Sequence, residues 1–244
     1  ALGFAAMVVA DVVQESSRAV HYLCLAASIC EHHKSDGQRA LSEELDTLVC
    51  DCCQTDVALS GGDALLVYRD RTTEEVRDIV VQRLSDNAWL PPNTLAPDNW
   101  VIGGCPINGP AIDARDDHVA VAWFSAVNNN PLVHLVQSNN GGTTFLDPIE
   151  IDTVGSFGHV DVAVLENGAT VVSWLRSEEN GLGLMMRMVD QVGELSEPLA
   201  VADIGTSRPL DFPQMVYDGA RLIFAWTDID EVEQVRTAIV ELAP

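Results

Sequence analysis

Three cysteines crowd into four positions, Cys50, Cys52 and Cys53, and a fourth, Cys105, follows 52 residues after the last of them. Thiols in this arrangement can do three things. Cys105 can close a disulfide with one of the three, the group can gather as thiolates around zinc or Cu(I), or one thiol can be redox-active. Cys24 and Cys30 bring the count to six, an even number that fits disulfides in an exported chain. No pair has the double C-x-x-C spacing of a zinc ribbon. Cys52 and Cys53 are neighbours, so on an extended segment they point to opposite faces and cannot share one simple role.

A second set of residues could handle a ligand. Arg69, Arg176 and Arg208 could clamp a carboxylate through bidentate hydrogen bonds, or each could brace a loop by pairing with a local acid such as Asp70 or Asp211. Asp70 and Asp161 could act as general acid and base in glycoside cleavage, or serve as satisfied loop carboxylates. His159 could bind a metal or shuttle a proton, or be hydrogen-bonded and nothing more, and Asn108 adds an amide.

What could bring such scattered residues together is a repeat. A β-branched run ending in an aromatic recurs as 64–68, 119–123, 170–174 and 222–226, ending in Tyr68, Trp123, Trp174 and Trp226. The intervals between those aromatics are 55, 51 and 52 residues. A period of this length marks an array of equal supersecondary units.

Each unit reads as a four-stranded meander, with β-branched and aromatic runs bounded by Gly, Asn, Asp and Pro. In the third unit the expected strands are 109–114, 118–124, 132–138 and a short outer one over 144–151. The fourth unit repeats this at 159–165, 169–175, 182–189 and 198–201. The second runs from about Thr55 to Leu95, and the fifth, from Phe212 to Leu242, lacks an outer strand. Residues 1–45 are expected to form a divergent first blade of the same single domain, and a turn or two of helix is expected near Ser42 to Leu48. Equal four-stranded sheets are the blades of an all-β propeller; a β-sandwich would not space its aromatics so evenly.

Composition narrows the partners. Hydrophobic residues make up 47% of the 244, enough for a packed core. Lys plus Arg number 13 against 37 Asp plus Glu, a formal net charge of -24, and Lys34 is the only lysine. Nucleic acid is thereby disfavoured, since phosphate neutralisation needs basic clusters, and so is an anionic membrane surface. The acidity itself could serve solubility or, as the alternative, cation binding. The longest apolar runs, 2–10 and 22–30, are too short to span a bilayer as helices. The first residue is Ala1 and no basic segment precedes the first apolar run, which reads as a processed or truncated start.

One turn is more specific. Residues 138–145 read Ser138-Asn139-Asn140-Gly141-Gly142-Thr143-Thr144-Phe145. This resembles the Asp-box, S-x-D-x-G-x-T-W, of sialidase-like (BNR) propellers, with Asn140 for the Asp and Phe145 for the Trp. Ser85-Asp86-Asn87-Ala88-Trp89 is a shortened version, and the 190–195 turn keeps only Gly193. Segments 50–55, 68–70, 77–79, 104–106 and 122–124 also look like those of bacterial, exported sialidase-like proteins of undefined activity. The resemblance covers roughly residues 45–244. It implies a six-bladed ring, of which four to five blades can be placed here, and an exported protein. It does not carry catalysis over. The Phe/Tyr-Arg-Ile-Pro motif that holds the first sialidase arginine is missing, no Tyr–Glu nucleophile pair is identifiable, and Tyr217 reads as part of a turn.

In such a meander the start of each first strand and the end of each second strand share a rim. First strands line the channel, so this rim is the binding face. Starts contribute Cys52, Cys53, Gln54, Cys105, Asn108, His159, Asp161, Arg208 and Asp211; ends contribute Arg69, Asp70, Ser125, Arg176, Thr227 and Asp228. The expectation is an extracellular glycan or small acidic ligand at the mouth, with an active exo-glycosidase for sialic acid or a similar sugar as the alternative. No cofactor is expected unless the Cys50, Cys52, Cys53 and Cys105 group takes zinc or copper.

Overall fold

The computed structural model describes residues 42–205, 212–228 and 234–242. The chain divides into two compact units, Ala1–Thr47 and Leu48–Pro244. Of the first, residues 42–47 are described and carry no helix or strand, so the helical turn expected near Ser42 to Leu48 is not formed; Val49 pairs in a β-bridge with Asp70 instead. The rest of the expected first blade lies outside the described residues.

The second unit is all-β and consists of four antiparallel meander sheets. The Tyr68 sheet contains β1 (Asp56–Ser60), β2 (Asp63–Arg69), β3 (Ile79–Ser85), β4 (Ala88–Trp89) and β5 (Asn93–Leu95), the last two both paired with β3. The Trp123 sheet contains β6 (Ala111–Arg115), β7 (His118–Ser125), β8 (Leu132–Ser138) and β9 (Ile149–Asp152). The Trp174 sheet contains β10 (Ser156–Val164), β11 (Thr170–Glu178), β12 (Gly181–Val189) and β13 (Leu199–Gly205). The Trp226 sheet has three strands, β14 (Gln214–Tyr217), β15 (Arg221–Asp228) and β16 (Gln234–Glu241). Among the described residues these are the blades of a β-propeller, and they do not close a ring. No helix among them is long and apolar enough to cross a membrane.

The second strands show why the sequence folds this way. Side chains alternate across a strand. Along β7, Val119, Val121 and Trp123 enter the core shared with the Tyr68 sheet, while Ala120, Ala122 and Phe124 enter the core shared with the Trp174 sheet. Both faces are covered, so the run is apolar throughout rather than alternating. In β11, Val172 and Trp174 face one core and Val171 and Leu175 the next. Each tryptophan therefore packs back against the preceding blade. Burying such a side chain removes about 150–250 Å² from water, on the order of 4–6 kcal/mol before entropy is counted. The first strands form the inner row: β1 contacts β6, β6 contacts β10, and β10 contacts β14.

The Asn140 turn shows how a side chain ends a strand. Ser138 Oγ donates to Asn140 Oδ1 at 2.8 Å and accepts from the Gly142 amide at 2.9 Å; Asn140 Oδ1 also accepts from the Thr144 amide at 2.9 Å. Gly141 and Gly142 both have positive φ, 65° and 74°, where a side chain would be strained. With Thr144 held by the turn, the outer strand expected from that residue starts only at Ile149.

Candidate functional site at the inner-strand rim

Arg69, at the end of β2, is 1% exposed. Its guanidinium sits in a cage of three main-chain carbonyls. Nε donates to Asn108 O at 2.8 Å, Nη1 to Arg77 O at 2.7 Å and Nη2 to Phe124 O at 2.6 Å. The Trp100 ring lies 5.1 Å from the guanidinium carbon. Burial pulls its pKa down to about 10, opposed by the nearby carboxylates of Asp98 and Asp78, so it remains a cation at neutral pH.

Asn108 carries the connection to the next blade. Its Nδ2 donates to Pro106 O at 3.1 Å and Phe157 O at 3.4 Å, and its Oδ1 accepts from the His159 amide at 2.7 Å. The fit is close: a Cβ on Gly158 would lie 2.1 Å from Asn108 Oδ1. Gly158 (φ 87°) and His159 (φ 53°) are both left-handed and lie where the β10–β11 register slips, so a bulge turns His159 inward. A non-glycine residue held there marks local strain of the kind that gathers at functional sites. The imidazole is 3% exposed, stacked on Phe212 at 4.1 Å between centroids and 5.4 Å from Phe157. Gln54 adds the same kind of link one blade earlier: its carboxamide accepts from the Gly109 amide at 2.8 Å and donates to Gly109 O at 3.2 Å.

Arg69, Asn108 and His159 are thus brought together from three blades. The other rim residues have different company. Arg176 grips Asp152 with Nη2 to Oδ1 at 2.7 Å and Nε to Oδ2 at 3.2 Å, and the Trp174 indole also donates to that Oδ2 at 2.7 Å. Asp161, 5% exposed, accepts the Val162 amide at 2.8 Å and the Met215 amide at 2.6 Å. Asp70 accepts the Arg71 amide at 2.7 Å. Ser125 Oγ lies 3.2 Å from His134 Nε2, and Asp228 pairs with Arg236. Arg208 and Asp211 lie outside the described residues.

The cysteines meet as adjacent-blade geometry requires. Cys52 is bonded to Cys105 with Cα atoms 6.2 Å apart, joining the segment before β1 to the loop before β6. Cys50 is bonded to Cys53 with Cα atoms 5.5 Å apart.

One acidic pair had no signal in the sequence. Asp78 lies beside Asp98 and accepts the Asn99 amide at 2.8 Å. Burial first, then the neighbouring carboxyl, pushes the Asp78 pKa up to about 6. The two are 20 residues apart on unrelated segments, so no spacing rule pairs them.

No protein-family model matches the chain, and no curated protein matches it by sequence. Among solved structures it is similar to a GH43_12 protein retrieved from capybara gut metagenome, at 12% identity and TM-score 0.49, over 76% of this chain and 39% of that one. It is similar to a mutant of NanB sialidase from Streptococcus pneumoniae at 14% identity and TM-score 0.43, over 72% of this chain and 29% of that one. An endo-arabinase from Bacteroides thetaiotaomicron is matched at 12% identity and TM-score 0.45, over 78% of this chain and 75% of that one. The chain spans about two fifths of the length of the first of these. The fold assignment stands on the four meander sheets themselves.

Proposed function

We propose that this protein is an exported, sialidase-like propeller that binds an extracellular glycan at the inner-strand rim and does not cleave it. The observation that carries this reading is the commitment of the rim's ionisable groups to the scaffold. Arg69 is enclosed by carbonyls, Arg176 is held by Asp152, and both oxygens of Asp161 accept main-chain amides. A carboxylate whose two oxygens are both taken up by main-chain amides is held to the scaffold and is poorly placed to deliver a proton to a substrate. What the rim does offer is a pair of half-buried rings, Phe157 and Phe212, each packed against His159. Aromatic faces beside amide groups suit the apolar face and hydroxyl rim of a sugar ring. The net charge of -24 opposes an acidic polymer, so a neutral or weakly acidic glycan is the better ligand. Export is supported by the two disulfides.

The test uses the whole chain on a glycan array, with affinity measured by calorimetry and turnover measured on a fluorogenic sialoside. Binding that falls about tenfold in Phe157→Ala, the loss of roughly one such contact, with no turnover, is the expected result. Sialoside hydrolysis abolished by Asp161→Asn or Asp70→Asn would instead make the protein an exo-glycosidase.

A further inference from the structure

The four sulfurs beside the rim are arranged for more than stapling. We propose that Cys50, Cys52, Cys53 and Cys105, as thiolates, form a site for one thiophilic cation of the Zn(II) or Cu(I) class. The site is an alternative state of the same residues that form the two disulfides.

Distance is the first argument. The sulfurs of Cys50, Cys52 and Cys53 all lie within 4.8 Å of one another, and Cys105 is joined to Cys52. Cys50 Sγ is 3.7 Å from Cys52 Sγ, two sulfurs that are not bonded to each other. A zinc ion with four thiolates at about 2.3 Å places its sulfurs about 3.8 Å apart. The Cys50–Cys52 pair already holds that separation. The Cys53 amide donates to Cys50 O at 3.3 Å, which turns the chain back on itself, and the Cys50 amide donates to Arg69 O at 3.0 Å, which pins the turn to the end of β2.

The second argument is independent of spacing. Arg77 is 3% exposed and its Nη1 donates to Cys50 Sγ at 3.2 Å. Nη2 is held by Glu75 at 2.9 Å, which fixes the plane of the group. A neutral sulfur is a weak acceptor; a thiolate carries the charge that makes a buried guanidinium a fitting neighbour. Donors of this kind, set behind the ligands, orient and tune thiolate metal sites. Cys50 is buried while Cys105 is exposed, so the site is closed on the Arg77 side and open to an arriving ion on the other.

From the disulfide state an external dithiol reductant supplies four electrons and four protons to give the four thiols, and is itself oxidised to disulfides. Four thiols and one Zn(II) give a tetrathiolate complex and release four protons, with no electron transferred. Forming the two disulfides instead removes four electrons and four protons to an external acceptor. Either state links the segment before β1 to the loop before β6.

The experiment uses the full chain reduced with a phosphine under anaerobic conditions and titrated with Co(II), then with Zn(II). One equivalent of cobalt should produce thiolate-to-metal charge-transfer bands and the d–d bands of tetrahedral coordination, and zinc should displace it. Both signals should survive Cys24→Ser/Cys30→Ser and vanish in Cys52→Ser and Cys105→Ser. Arg77→Met should weaken zinc binding about 10–100-fold. Alkylation mapping by mass spectrometry on the unaltered chain covers variants that do not fold: zinc should protect Cys50, Cys52, Cys53 and Cys105 together. No tetrahedral spectrum, a spectrum that depends on Cys24 and Cys30, or equal alkylation with and without zinc would overturn the proposal.

Discussion

Between the Tyr68 and Trp123 sheets, Asp56 Oδ2 accepts the Ile112 amide at 2.9 Å; between the Trp174 and Trp226 sheets, Asp161 Oδ2 accepts the Met215 amide at 2.6 Å. The positions are equivalent. Asp56 and Asp161 each pair with the residue before the second-strand aromatic, and Ile112 and Met215 with the residue two before it. The same carboxylate latch thus closes both seams. Everything added to it differs. The first seam also has the Cys52–Cys105 bond, the Gln54–Gly109 pair, Ser60 Oγ donating to Asp116 O at 2.6 Å, and the Arg69 guanidinium bonded to Asn108 and Phe124 of the next blade. The last seam adds the His159–Phe212 stack to an apolar core. In the middle, Ala111 stands where the latch aspartate would be, and Asp113, two residues on, accepts the Val164 amide at 2.7 Å. A propeller needs one latch per seam to set the register of its inner strands. The extra links at the first seam fix the mouth where the cysteines and Arg69 lie.

The largest expected effect tests that reinforcement. Arg69→Met fills much of the same volume but leaves three buried carbonyls without their donor. Each buried acceptor left unpaired costs about 1–3 kcal/mol, so the three together are expected to cost about 3–5 kcal/mol. Urea unfolding with the disulfides intact should show a loss of that size. Arg176→Met, whose partner Asp152 also keeps the Trp174 indole, should lose less. If Arg69→Met falls within about 1 kcal/mol of the unaltered protein, less than one unsatisfied buried group, the first seam is not held by its arginine.

The latch itself comes next. Asp161→Ala removes two amide acceptors at a buried position and should cost about 1–3 kcal/mol. Asp56→Ala likewise removes two acceptors, of the Val57 and Ile112 amides, but at a seam with other ties, and its cost should be the smaller of the two. Hydrogen exchange at the Met215 and Ile112 amides reads the two latches separately: Met215 should lose more protection than Ile112. The opposite order would mean that the first seam depends on its aspartate after all.

Much of this was legible in the residues. The four aromatics mark second strands because those strands are buried on both faces, which leaves an unbroken apolar run in the sequence. The three-stranded Trp226 sheet and the placing of Cys105 against the Cys50–Cys53 segment follow from that register. What the side-chain pattern could not convey was the company each rim residue keeps. The acceptors around Arg69 are carbonyls of Asn108, Arg77 and Phe124, and a carbonyl has no signature in sequence. Asp161 reads as a rim acid, but its partners are amides, one of them in the next blade. The outer strand after the Asn140 turn starts late because a side-chain oxygen takes the Thr144 amide, which outweighs the strand-forming tendency of Thr143-Thr144-Phe145.

The smallest expected effect concerns the Asp78–Asp98 pair, which belongs to the Tyr68 sheet alone and has no counterpart at the last seam among the described residues. Asp78 has its folded pKa raised from 3.8 to about 6, by burial first and then by Asp98. The folded protein therefore binds more protons than the unfolded chain between those values, and stability contributed by this group falls as pH rises through that window. Acidification from pH 7 to 4 should return it, against the opposite trend of Asp63 and Asp218, whose pKa values are lowered chiefly by their arginine hydrogen bonds. Asp78→Asn imitates the neutral form and keeps an oxygen for the Asn99 amide. It should stabilise the protein above about pH 6 by roughly 1 kcal/mol, since solvent screening cuts the effect at a site only partly buried. Below pH 4 it should be neutral. Urea midpoints of the two proteins across pH 4–8 check this directly. Parallel curves would mean that burial and Asp98 do not hold Asp78 protonated in the folded state, and the acidic pair would then be an ordinary surface feature of the Tyr68 sheet.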